Sequence, residues 1–132
     1  MRDYIFHGKR IDTDEWVEGY LGYNKVRNKY YIMDDVDSFP IPVHKESVGQ
    51  YTGMKDKNGR KIFEGDICRI KILHEDQSLD KYELAKVIFE DGCFEIVTQY
   101  GDIFHHYWLT LEYVEKPEVI GNVFDNADLL EE

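Results

Sequence analysis

Cysteine is nearly absent from this chain of 132 residues: Cys68 and Cys93 are the only two. No CxxC pair and no cysteine–histidine cluster accompanies them, so the sequence offers neither a disulfide framework nor a zinc site of recognisable spacing. Both lie in strand-like runs, and two buried free thiols in a reducing compartment are expected; a disulfide between them stays open, because its geometry is not written in sequence. Proline is scarce too. Two of the three crowd into Phe39-Pro40-Ile41-Pro42-Val43, which excludes a central strand there and predicts an extended connector. Bases are outnumbered, 16 against 27 acids, for a formal net charge of −11. That balance opposes tight binding to nucleic acid, whose phosphates need neutralising cations, and disfavours anionic membrane surfaces. It favours solubility or a basic partner. No apolar run approaches the roughly 20 residues of a membrane span. Met1-Arg2-Asp3-Tyr4 does not open a signal peptide. A cytoplasmic protein is expected.

What the sequence does contain is turn chemistry set between β-prone runs. Hydrophobic residues make up 42% and aromatic residues 14%, which is globular, and the 10 tyrosines favour β structure. The stretch from Gln50 to Ile70 organises the rest. Asn58-Gly59 is a strong hairpin signal, of the kind that places both residues of a type I′ turn at positive φ. Glu64-Gly65-Asp66 then reverses the chain, with Gly65 free to be left-handed. Beyond it Cys68, Ile70 and Ile72 fall on one face of a strand, and Arg69 and Lys71 on the other. A glycine–acid pair launching such a strand often opens a small SH3-like or related β-barrel. Asp91-Gly92 repeats the type I′ signature between Glu83–Phe89 and Cys93–Val97.

The remaining segments read as short strands. Tyr4-Ile5-Phe6 is followed by Gly8-Lys9-Arg10 as a turn. Trp16–Tyr23 and Lys29–Met33 complete a small antiparallel meander. Lys45-Glu46-Ser47 forms one helical turn, and Asn126 caps a brief helix through Leu130. One domain over residues 1–132 is expected, with a meander to about Val43 and a barrel-like part from Val48. Its core should include Ile62, Ile70, Ile72, Val87, Phe89, Phe94, Ile96, Val119, Ile120 and Val123.

Reactive chemistry is hard to place. Asp56, Glu64 and Asp66 are acids in turns, where carboxylates commonly cap backbone amides. The Asp34-Asp35-Val36-Asp37 loop lacks the glycine and later glutamate of a helical-hand calcium site. His105 and His106 are neighbours on a strand and point to opposite faces, so one metal is an awkward target for both. No Walker pattern and no GxSxG elbow occurs. No catalytic residue, metal ligand or cofactor site is assigned. Asn58, Gly59, Gly65, Asp66, Asp91 and Gly92 are structural turns. The grouped aromatics Tyr30, Tyr31, Tyr100, Tyr107 and Trp108 form a candidate interface, and a homo-oligomer is expected.

Val48-Gly49-Gln50-Tyr51-Thr52-Gly53-Met54-Lys55-Asp56-Lys57-Asn58-Gly59, running into Ile62-Phe63-Glu64-Gly65-Asp66-Ile67, resembles the YopX proteins of bacteriophages and prophages. The closing Val119-Ile120-Gly121-Asn122-Val123-Phe124-Asp125-Asn126 reinforces the resemblance. So do Phe6-His7-Gly8-Lys9-Arg10 and Trp16-Val17-Glu18-Gly19-Tyr20-Leu21; the segment after Leu73 matches poorly. The resemblance implies a mostly β fold and a phage or prophage origin, and it carries over no activity and no site residue. A non-catalytic protein-binding or structural module in the cytoplasm of a bacterial host is therefore expected, with a host or phage protein as partner. The alternative is an acidic mimic of nucleic acid that occupies a DNA-binding host protein; an enzyme with an unrecognised site ranks below both.

Overall fold

Runs of three to ten β-prone residues, separated by turn residues, fold into strands and almost nothing else. The computed structural model describes residues 4–33, 39–72, 81–90, 92–100, 103–108 and 117–130; for 71–72, 81–83, 98–100 and 103–108 the description is of the backbone. The chain divides into two compact units, Met1–Gly53 and Met54–Glu132. Among the described residues the only helical elements are 3-10 turns at Lys45–Ser47 and Ala127–Leu130. The protein is mainly β, as its sequence predicts. No helix among the described residues is long and apolar enough to cross a membrane.

In the first unit β1 (Phe6–Lys9), β2 (Trp16–Asn24), β3 (Lys29–Met33), β4 (Ile41–Val43) and the start of β5 (Gly49–Lys55) are antiparallel, in the order β4-β3-β2-β1-β5. Leu21 faces Ile32, and Ile32 faces Ile41. Opposed residues share a face, and Ile32 and Val43 are fully buried on it. The Ser47 hydroxyl ties the 3-10 turn to β1, accepting from Lys9 N–H at 2.8 Å and donating to the His44 carbonyl at 2.6 Å.

Two expectations fail here. Gly8 lies inside β1, not in a turn. A Cβ at Gly8 would stand 3.0 Å from Val43, so the glycine lets β4 approach closely. Residues 41–43 are a strand and not a bare connector. They pair with β3, and across their other side Arg10 bridges Val43, Ile11 N–H meets the Pro42 carbonyl and His44 N–H meets the Lys9 carbonyl. Pro42 is tolerated because that bridge asks it only for an acceptor.

In the second unit β6 (Lys61–Phe63) follows a hairpin. Then β7 (Asp66–Ile72), β8 (Lys81–Glu90), β9 (Cys93–Tyr100), β10 (Ile103–Trp108) and β11 (Glu118–Asn122) form an antiparallel sheet ordered β10-β9-β8-β7-β11. Alternation along the strands delivers Ile62, Cys68, Ile70, Ala85, Val87, Ile96 and Val119 to one core, with Met54 and Phe94 packed at its margin. Each fully buried isoleucine contributes about 1.5–3 kcal/mol relative to exposure.

Phe89 and Ile120 do not join that core: they are 48% and 39% exposed. Phe89 shares the face of Val87 but lies beyond the core's end, where its ring meets Phe94 edge-on at 4.9 Å. Ile120 is the extra residue of a bulge between Val119 and Gly121, and neighbours on a strand cannot both point inward. Val123 is half-buried. The Ile72 side chain lies outside the described residues. Cys68 is buried, Cys93 is half-buried after its turn, and both are free thiols.

Candidate functional site

Asp56 leads the hairpin between β5 and β6, and its neighbours Lys57–Arg60 are exposed while it is 1% exposed. A carboxylate buried this deeply needs donors. Oδ1 accepts from Asn58 N–H at 2.9 Å and Arg60 N–H at 2.8 Å; Oδ2 accepts from Val119 N–H of β11 at 3.0 Å. The Lys57 N–H donates to the Pro117 carbonyl at 3.0 Å, beside it. Glu118 adds an outer layer, accepting from the Arg69 guanidinium and the Asn58 amide.

This changes the turn. The hairpin closes between Asp56 and Arg60, with Gly59 N–H bonded to the Asp56 carbonyl at 3.0 Å. Gly59 is left-handed at φ +82°, and Asn58 has no positive φ. The turn is thus a longer loop with one left-handed residue and not the type I′ turn expected from Asn58-Gly59. At the second hairpin Glu90 pairs with Cys93 and Gly92 has φ +82°, while Asp91 lies outside the described residues.

A second carboxylate sits at the opposite end of β11. Gly65, at φ +92°, turns the chain so that Asp66 Oδ2 accepts Phe63 N–H at 2.8 Å. Gly65 N–H reaches the Val87 carbonyl at 2.8 Å, and its own carbonyl accepts Val123 N–H at 2.7 Å. Asp66 pairs with Asn122 in the β7–β11 register. Asn122 Oδ1 accepts from Phe124 and Asp125 N–H, and Asn126 Oδ1 accepts from Asn122 N–H. A Cβ on Gly121 would stand 2.5 Å from that Asn126 oxygen, so a larger residue would push the Asn126 side chain off its bond to Asn122 N–H. The Asn126 side chain therefore serves β11, while its carbonyl starts the last 3-10 turn by accepting Leu129 N–H.

The two acids respond to burial in opposite ways. Burial pushes the Asp56 carboxyl upward, but the Val119, Arg60 and Asn58 N–H groups and the Arg60 charge outweigh it and hold it below its ordinary value. Asp66 has one backbone donor. Burial pushes it up to about 7, opposed in part by Phe63 N–H and Arg60 and reinforced by Asp56. Burial, with both acids nearby, pushes the Cys68 thiol up to about 12. A thiol held neutral is a poor nucleophile and a poor metal ligand. Among the described residues no group of three or more His, Cys, Asp or Glu could hold a metal.

The chemistry of this arrangement is main-chain capture. Asn58, Gly59, Gly65 and Asp66 take their places in the two turns that hold β11. Sequence reading missed Asp56 as the organising group; the signal was the Asp-x-Asn-Gly spacing, which puts a carboxylate two residues before an amide it can accept.

The candidate aromatic interface is divided. Tyr30 and Tyr31 are half-buried in the first unit, where Tyr30 opposes Val43 and Tyr31 opposes Gly22 and Pro42. Tyr100, Tyr107 and Trp108 belong to β9 and β10 of the second unit, and their side chains lie outside the described residues.

Fold and site define a mainly antiparallel β protein whose most distinctive sequence stretches converge on the two ends of one strand. The sequence matches the family described as YopX protein over residues 5–131, and the chain belongs to that family. A crystal structure of protein EF1440 from Enterococcus faecalis is similar in fold, with a TM-score of 0.54 and 21% identity, covering 99% of this chain and 100% of that one. No curated protein matches the sequence.

Proposed function

We propose that this protein is a non-catalytic β module of phage or prophage type that binds a host or phage protein in the bacterial cytoplasm. The observation that supports the reading is how the motif residues are spent. Asp56 gives three acceptor positions to backbone N–H groups, and Gly65, Asp66, Asn122 and Asn126 hold the other end of the same strand. These residues keep a strand in register, so the motif serves the fold and not a reaction. The test is capture with the tagged full chain from nuclease-treated lysate of a bacterial host. A stoichiometric protein partner, retained equally by Glu118→Ala, is the expected result. Turnover of a small molecule, lost on substitution of an exposed residue that leaves the melting temperature unchanged, would overturn it.

One observation favours a second reading, the acidic mimic of nucleic acid. Of the 27 acids and 16 bases, 18 and 9 fall in residues 54–132, net −9, against 9 and 7, net −2, in residues 1–53. Recovery of a DNA-binding protein that duplex DNA displaces would select this reading over the first.

A further inference from the structure

The charge of the first unit is not evenly laid out. Residues 19–33 contain Lys25, Arg27 and Lys29 and no acid, within a chain of 27 acids. They form the β2–β3 hairpin, and none of the three cations makes an ion pair among the described residues. The tip is pre-shaped. Asn24 Oδ1 accepts from Val26 and Arg27 N–H at 3.0 and 3.1 Å, and Tyr23 donates its hydroxyl to Asn28 Oδ1 at 2.7 Å. The Tyr23 ring lies 4.7 Å from that of Tyr30.

Apolar surface is exposed beside the cations. Val26 is 96% exposed, Tyr20 55% and Tyr23 51%. Gly22 contributes no side chain opposite Tyr31, and an open hollow of about 620 Å³ lies there, lined by Gly22, Tyr23, Lys25, Tyr31, Met33 and Pro40. Tyr23, Tyr31 and Met33 line the hollow together with the polar Asn24 and Lys25, and aromatic residues and methionine are enriched at protein-binding surfaces. Three cations are few for a polyphosphate strand, and the net charge of −11 opposes its binding. A short acidic segment with an apolar anchor suits the hairpin better.

The chain supplies such a segment. Phe124–Glu132 holds four acids and no base, Asp125, Asp128, Glu131 and Glu132, and within it Leu129 is 37% exposed. We propose that the protein self-associates through this pair of surfaces: the β2–β3 hairpin of one protomer receives the C-terminal acidic segment of a second copy. The Lys25, Arg27 and Lys29 cations meet its carboxylates, and Leu129 enters the hollow beside Tyr31 and Met33. A two-fold pair makes the contact twice. The assembly is independent of which external partner the protein binds.

Charge exchange tests it. Lys25→Glu/Arg27→Glu/Lys29→Glu changes three exposed residues, and Asp128→Lys/Glu131→Lys/Glu132→Lys reverses the segment; unchanged circular dichroism and melting curves certify both folds. By sedimentation the wild type is expected at twice the 15.7 kDa of one chain. Each variant alone is expected to be monomeric, with at least a tenfold weaker dimer. An equimolar mixture of the two restores the dimer, since each hairpin then meets a segment of opposite sign. A wild type that stays at 15.7 kDa on concentration, a hairpin variant that still dimerises, or a mixture that stays monomeric overturns the proposal. So does wild-type binding of a labelled oligothymidylate, abolished by the hairpin reversal, without self-association.

Discussion

Replacing Asp56 by asparagine keeps size and shape and removes one acceptor. The carboxylate serves donors on both oxygens, Asn58 and Arg60 N–H on Oδ1 and Val119 N–H on Oδ2. An amide must turn its NH2 toward one set. Facing Val119 it opposes a buried donor with another; facing the hairpin it loses two bonds. A hydrogen bond to a charged group is worth about 1.5–3 kcal/mol, and a buried donor left unsatisfied costs about 1–3 kcal/mol. Allowing for overlap between the two, Asp56→Asn is expected to lose about 2–4 kcal/mol, a large share of the roughly 5–15 kcal/mol typical of a domain. Asp56→Ala is expected to lose about 3–5 kcal/mol, because water reaches the exposed hairpin amides but not Val119. Guanidinium titration at pH 7 reads both as a lower midpoint at unchanged slope. A loss below about 0.5 kcal/mol for Asp56→Asn would refute the reasoning, since that is the range of ordinary surface substitutions.

Asp66 gives a pH signature of defined sign. Its folded value of about 7 against 3.8 means that the native state holds the proton longer, so stability is present below pH 4 and falls as pH rises to about 7. The fall attributable to this group is at most about 4 kcal/mol, and Asp66→Asn is expected to flatten the stability profile across that window. Asp56, held low, acts oppositely: its contribution is present above the ordinary carboxylate value and is lost only as pH falls through the lowered one. Gly121→Ala drives a Cβ onto Asn126 and is expected to cost about 1–3 kcal/mol by thermal melt. A thiol reagent at pH 8 is expected to modify one cysteine per native chain, Cys93, and the second only in denaturant, because the Cys68 thiol stays buried and neutral.

How much of this was legible depended on how local each determinant is. Gly65-Asp66 announced its reversal because left-handed φ and a short capping acid are requirements of the turn itself. Asn58-Gly59 announced a turn but not its type, which is set by Asp56 under a bond to Val119, 63 residues away. Gly8 looked like a turn residue because the reason for it, Val43 lying over β1, is absent from its own neighbourhood. Alternation placed Ile62, Ile70, Val87, Ile96 and Val119 in the core, and it overreached at Phe89, past the core's end, and at Ile120, on a bulge. The basic hairpin was hidden by averaging. A net charge of −11 describes the chain and not the acid-free window of residues 19–33.

Hydrogen exchange of three amides tests most directly the claim that the signature stretch is a main-chain lock. Asn58 and Arg60 are exposed residues in a hairpin, where amides ordinarily exchange freely, yet both donate to Asp56 as Val119 does. All three are predicted to show slow exchange in the wild type, with Asn58 and Arg60 far slower than Lys25 at the exposed tip of the β2–β3 hairpin. In Asp56→Ala, Asn58 and Arg60 are predicted to lose that protection together. Fast exchange at Asn58 and Arg60 in the wild type, or protection that survives Asp56→Ala, would contradict the lock.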